Sequence, residues 1–161
     1  MTQKQKSAQN GFTLIELLVV IGILAILLAI TLIAINPNKH FQDTRNARRQ
    51  SDVAALLDGI YEYEAGHGGN PPTTLSGVST VAGSPSPIAS SGSGFVNPCA
   101  DIVPDYLADI PIDPTTGSRA SATSCAGTYA TGYTMYKNST SGRFTVTAPA
   151  AENSVTISVT R

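Results

Sequence analysis

The chain has no tryptophan, two cysteines, two histidines and a charged fraction of only 13% in 161 residues. Each shortage excludes something. His40 and His67 stand alone, with no H-E-x-x-H around them, so a histidine-held zinc hydrolase site has no residues to use. No G-x-S-x-G occurs, and no glycine-rich loop follows a strand pattern, which removes the common nucleophile-elbow and phosphate-cradling chemistries. We therefore expect no enzyme. A formal net charge of −1 advertises neither a nucleic-acid partner nor an acidic substrate. Outside its N-terminal run the chain is rich in Ser, Thr, Gly, Pro and Ala, so it can build one modest core that would gain from a covalent staple.

Long apolar runs, by contrast, are not lacking. Phe12 to Ile35 is 24 residues with Glu16 as the one charge and Thr13 and Thr31 as the only hydroxyls. As a helix it would reach roughly 36 Å, enough for a hydrocarbon core of about 30 Å. It is too long for the apolar core of a secretory signal, and no A-x-A site follows it before Asn36-Pro37. We read it as a membrane-spanning helix. Lys4 and Lys6 precede it, but Lys39, Arg45, Arg48 and Arg49 follow closely, so basic residues alone do not orient it. Cys99 and Cys125 do. They enclose 25 residues and have no further sulfur ligand for a zinc site. A disulfide is the reading, with two buried free thiols as the alternative, and it requires an oxidising compartment. Closing such a loop contributes ~3 kcal/mol in the chain-entropy model. The domain is accordingly placed outside the cytoplasm, with the N-terminus inside.

Further along, Asn36-Pro37 reads as a helix restart, Asn capping and Pro filling the first position, so Pro37 marks a kink or the join of two helices. Residues 36–66 carry Val53, Leu56, Leu57, Ile60 and Tyr61 or Tyr63 at three- and four-residue spacing, the stripe of an amphipathic helix. Arg48 and Asp52, four apart, can pair on its outer face. Gly66 to Pro72 ends it. Residues 67–128 read as a loop region holding the disulfide, with room for one short strand and a short helical piece inside "VPDYLADIPIDPTTG". Within 129–161, "GYTMYKN", "GRFTVTA" and "NSVTISVTR" alternate and read as three antiparallel strands in a meander. The expected class is α+β: a long N-terminal helix, transmembrane and then amphipathic, packed on a C-terminal antiparallel sheet of about three to four strands.

One stretch now joins these elements. A short basic leader, residues 1–11, ends in Gly11, and Phe12-Thr13-Leu14-Ile15-Glu16 opens the apolar helix. This "GFTLIE" pattern resembles the type IV pilin and pseudopilin family, and the order of elements behind it resembles the pilin fold. The resemblance implies that a prepilin peptidase cuts after Gly11 on the cytoplasmic side and that Phe12 becomes an N-methylated N-terminus. Losing Lys4 and Lys6 would take Lys+Arg from 10 to 8 against 11 acids, a net −3. It also implies that Glu16 sets assembly register by meeting the α-amine of Phe12 on a neighbouring subunit. A lone carboxylate in a membrane helix costs a few kcal/mol (about 3) and usually marks function, and a partner cation relieves it. The partners implied are identical or related pilin subunits, the peptidase and a pilus assembly platform. The location implied is the cytoplasmic membrane before assembly, and an extracellular pilus or periplasmic pseudopilus afterwards.

The resemblance leaves several machines open: a surface pilus, a type II secretion pseudopilus, or a competence pilus that binds DNA. Outside the family the competitor is a membrane-anchored extracellular binding domain. Arg45, Arg48 and Arg49 would serve a DNA role, but beside Asp43 and Asp52 and without interleaved aromatics they read as a solvated or subunit-facing surface. Asp101, Asp105, Asp109 and Asp113 recur every fourth residue in a region where some pseudopilins bind calcium. Pro104, Pro111 and Pro114 forbid one helix that would align them, so caps and turns are the stronger reading and no metal or cofactor is expected. Asn138-Ser139-Thr140 matches a glycosylation sequon, a tripeptide that arises easily by chance.

Overall fold

The computed structural model describes residues 11–121 and 125–161, and two compact units divide the chain at His40/Phe41. Helix α1 spans Leu14–Ile35. Not one of its residues is buried, and Leu, Ile and Val cover it on every side. A helix that is apolar all round, with none of its residues buried among the described ones, needs an apolar surrounding. It begins at Thr13, an N-cap with extended backbone, and stops at Asn36, whose φ is +46°. Asparagine is among the few residues that enter this left-handed region readily. Pro37 then opens helix α2, Pro37–Gly66, which ends where Gly68 and Gly69 turn left-handed and the Gly69 N–H returns to the Glu64 carbonyl at 2.8 Å.

From Phe41 onward the chain forms the α+β unit. α2 buries Val53, Leu56, Leu57 and Ile60, the stripe that the sequence spacing marks. Opposite it lies an antiparallel sheet: β1 Ser86–Ala89, β2 Ser118–Arg119, β3 Tyr129–Lys137, β4 Phe144–Thr147 and β5 Ser158–Thr160. The order is β1-β3-β4-β5, with β2 pairing the first two residues of β3. Tyr129, Thr131, Tyr133 and Met135 alternate inward along β3. With Phe144, Val146, Ile88, Val96, Ile102 and Ile110 they close the core against α2. Threonine pairs bridge strands on the other face, Thr134 with Thr147 at 2.7 Å and Thr145 with Thr160 at 2.8 Å.

The three-strand meander is present, and the sheet is larger than it by β1 and the two-residue β2. β3 starts three residues before Gly132, where the reading begins its strand. Gly132 has φ +82° and sits where the β1–β3 register slips between Pro87 and Ala89, so it is a bulge inside the strand. The short helix also falls earlier than expected. It is α3, Cys99–Ile102, and the Val103-Pro104 step beyond it prevents continuation. Cys99 and Cys125 form a disulfide with Cα atoms 5.5 Å apart. It ties the first residue of α3 to the segment entering β3 and encloses β2.

Candidate functional site

Two places gather the residues that the sequence singles out. The first is the start of α1. Gly11, Phe12 and Thr13 are non-helical and exposed. Thr13 and Glu16 form a reciprocal capping box. The Thr13 hydroxyl oxygen accepts from the Glu16 N–H at 3.3 Å, while Glu16 Oε2 accepts from the Thr13 N–H at 2.9 Å and from the Thr13 hydroxyl at 2.7 Å. Glu16 is thus bonded within its own chain, one turn from Phe12, and these contacts use only Oε2. Among the described residues, nothing lies within 4 Å of where a Cβ on Gly11 would stand.

The second place was not anticipated. Arg49 lies on the α2 stripe four residues before Val53, and its side chain is fully buried. Its Nε donates to Asp113 Oδ2 at 2.7 Å, its Nη1 to Glu152 Oε2 and Asn46 Oδ1 at 3.0 Å each, and its Nη2 to the Thr115 hydroxyl at 2.7 Å. Arg45 holds Glu152 from the other side through Nε at 2.7 Å and Nη2 at 2.6 Å. Asp113 in turn caps its own turn, Oδ1 accepting from the N–H groups of Thr115 and Thr116 at 2.8 Å. Gly132 lets β3 approach this turn; a Cβ there would stand 2.7 Å from both Asp113 Cβ and Thr116 Oγ1. Burial alone would raise the Asp113 carboxyl, but the Arg49 guanidinium and the N–H groups of Thr116 and Thr115 outweigh it and hold it well below the carboxylate range. Hydrogen bonds from Arg45, and then from Arg49, draw Glu152 down to about 2.

This network corrects the surface reading of Arg45, Arg48 and Arg49. Arg49 is interior and Arg45 is engaged with Glu152. Arg48 is the exposed one, at 3.8 Å from Asp52, which also accepts from the Tyr133 hydroxyl at 2.7 Å. A signal for Arg49 existed: its place on the apolar stripe required a partner acid somewhere in the chain.

The four aspartates do not converge. Asp113 is committed to Arg49, Asp109 pairs with Arg119 at 2.7 Å, Asp101 accepts from the Thr74 hydroxyl at 2.5 Å, and Asp105 is exposed in the turn after α3. Among the described residues no three His, Cys, Asp or Glu side chains are arranged to hold a metal ion. Lys4 and Lys6 lie outside the described residues.

Behind the capped, non-helical Gly-Phe step stands an exposed helix long and apolar enough to cross a membrane. Residues 6–32 match the family model of the prokaryotic N-terminal methylation motif, the class III signal of type IV pilins and pseudopilins. The chain thus carries the N-terminal signal that such precursors share. The match covers the end of the leader and most of α1, and not the α+β unit. No curated protein and no solved structure matches the chain.

Proposed function

We propose that the mature chain is the structural subunit of a type IV pilus-like helical filament. The observation that carries this reading is α1 itself, 22 residues with none buried, behind a methylation motif. A surface that the chain leaves bare along its whole length is suited first to lipid and then to the same surface on other subunits. Such packing is heterologous and does not close, which is the geometry of a filament. Prepilin peptidase removes residues 1–11, Phe12 is methylated, and an assembly platform draws the subunit from the cytoplasmic membrane. Glu16 then exchanges its own Thr13 for the Phe12 amine of a neighbour. The chain performs no catalysis in this scheme and needs no cofactor.

Electron microscopy of sheared surface material tests it. Wild type should give filaments and Glu16→Ala, compared per cleaved subunit, should give at most about a tenth as many, which the loss of a buried ion partner readily produces. Undiminished filament yield from Glu16→Ala would refute the register role. A second reading, a secretion pseudopilin, is supported by the stretch "PDYLADIPIDPTTG", which in sequence somewhat resembles the Asp-Pro loop of major pseudopilins without their tryptophan. Wild-type cells that secrete normally through the subunit yet shed no long filaments would favour it.

A further inference from the structure

Resting on the pilin-precursor reading above, we propose that Thr13 is a positioning residue for removal of the leader, acting by ending α1 short of the bond to be cut. Hydrolysis between Gly11 and Phe12 places a water oxygen on the Gly11 carbonyl carbon, breaks the C–N bond and releases Phe12 as a free amine. The peptidase must reach that carbonyl from the side, so the bond has to be presented outside a helix. In a helix that ran further back, the Gly11 carbonyl would accept the Ile15 N–H and the Phe12 carbonyl would accept the Glu16 N–H.

The capping box blocks this winding. The Glu16 N–H is already donated to the Thr13 hydroxyl, and the Thr13 N–H is held by the Glu16 carboxylate. Thr13 itself is fixed in extended backbone, with φ −79° and ψ 151°. Outside the ladder assigned to α1, the bond that opens the helix runs from the Leu17 N–H to the Thr13 carbonyl at 3.3 Å. Gly11 and Phe12 are therefore left exposed and free of the helix. The methylation-motif match spans these same residues. Glycine resists helix at the first of these positions, and the cap adds a second barrier one residue beyond Phe12.

The test is cleavage of the full-length precursor in membrane vesicles by prepilin peptidase, followed by mass and analysed as KM and kcat for Thr13→Val, Thr13→Ser, Thr13→Asn and Glu16→Gln. Valine keeps the shape of threonine and cannot cap. Its KM should rise about 3- to 10-fold, the size of an N-cap loss, with kcat little changed, because fewer chains present an extended bond. Serine and asparagine both cap, so both should restore the wild-type KM although asparagine shares no shape with threonine. Glu16→Gln keeps the reciprocal box and should be processed normally. An unchanged KM for Thr13→Val overturns the proposal, and so does asparagine behaving like valine, which would indicate recognition of the threonine itself. Failure of the wild-type precursor to be cut at all would instead sink the pilin-precursor reading.

Discussion

Glu16 is the one charge of α1 and Arg49 the fully buried charge of α2, and the protein treats them oppositely. Arg49 receives everything it needs from its own chain: a buried carboxylate, a second acid, an amide and a hydroxyl, drawn from α2, the Asp113 turn and the Glu152 turn. Its charge is permanently solved, and solving it pins three separated segments together. Among the described residues Glu16 is bonded to Thr13, three residues away, on a helix with no buried residue. Where a charge is matched by remote segments of the chain it specifies a fold; where it is matched locally, as at Glu16, the proposed function leaves it to be exchanged on assembly.

The contrast can be broken most severely at Asp113. Asp113→Ala leaves Arg49 buried without its main partner and should lower the unfolding free energy by about 3–5 kcal/mol, measured by urea denaturation in detergent. Glu16→Ala, judged the same way, should shift it by no more than about 0.5 kcal/mol, since α1 contributes no core residue. An effect of similar size from both would erase the distinction. Next in size is the covalent tie. Replacing Cys99 and Cys125 by serine should cost about 3 kcal/mol in a thermal or urea melt. Because Asp113 and Thr115 lie inside the disulfide loop, its loss combined with Asp113→Ala should be less than additive.

Acid provides a graded version. Asp113 and Glu152 both titrate lower in the folded chain than in the unfolded one, Glu152 at about 2. The unfolded chain therefore binds protons first as pH falls. The stability these carboxylates contribute is complete above about pH 4.5, the ordinary value for glutamate, and is lost progressively from there toward pH 2. Urea midpoints measured across that window should fall, and Glu152→Gln should flatten part of the slope. A midpoint independent of pH between 5 and 2 (a window set roughly by these shifts) would remove the network from the stability account. Smallest of all, Arg48→Ala should change stability by no more than about 0.5 kcal/mol, because its pair with Asp52 is long and solvated. A larger loss would mean that the exposed arginine belongs to the network after all.

Most of the architecture was legible because it rests on periodicity. Val53, Leu56, Leu57 and Ile60 repeat at the helical spacing, and the C-terminal strands alternate with turn residues between them. The disulfide followed from there being only two cysteines and no other sulfur ligand. What escaped depends on partners remote in sequence. β1 is Ser-Pro-Ile-Ala and β2 is two residues long, and both are strands only because β3 offers a ladder. Gly132 looks like a boundary and is a bulge demanded by the Asp113 turn across from it. Arg49 was grouped with Arg45 and Arg48 by proximity in sequence, whereas burial separates it from Arg48 through acids 64 and 103 residues away. At the start of α1 the pattern "GFTLIE" pointed to the processing step, and its Thr13-x-x-Glu16 spacing is the capping-box signature that the structure fulfils.

The position of the innermost side chains has a consequence for how such a chain can change over time. Every buried residue of the described chain lies at Asn46 or beyond, within the compact unit that begins at Phe41. If the proposed filament reading holds, substitutions along α1 answer to the lipid and to sister subunits, whereas substitutions after Phe41 answer to the interior of a single molecule. The two stretches face separate examiners, so an outer domain could be exchanged wholesale behind an unchanged anchor without retuning either one.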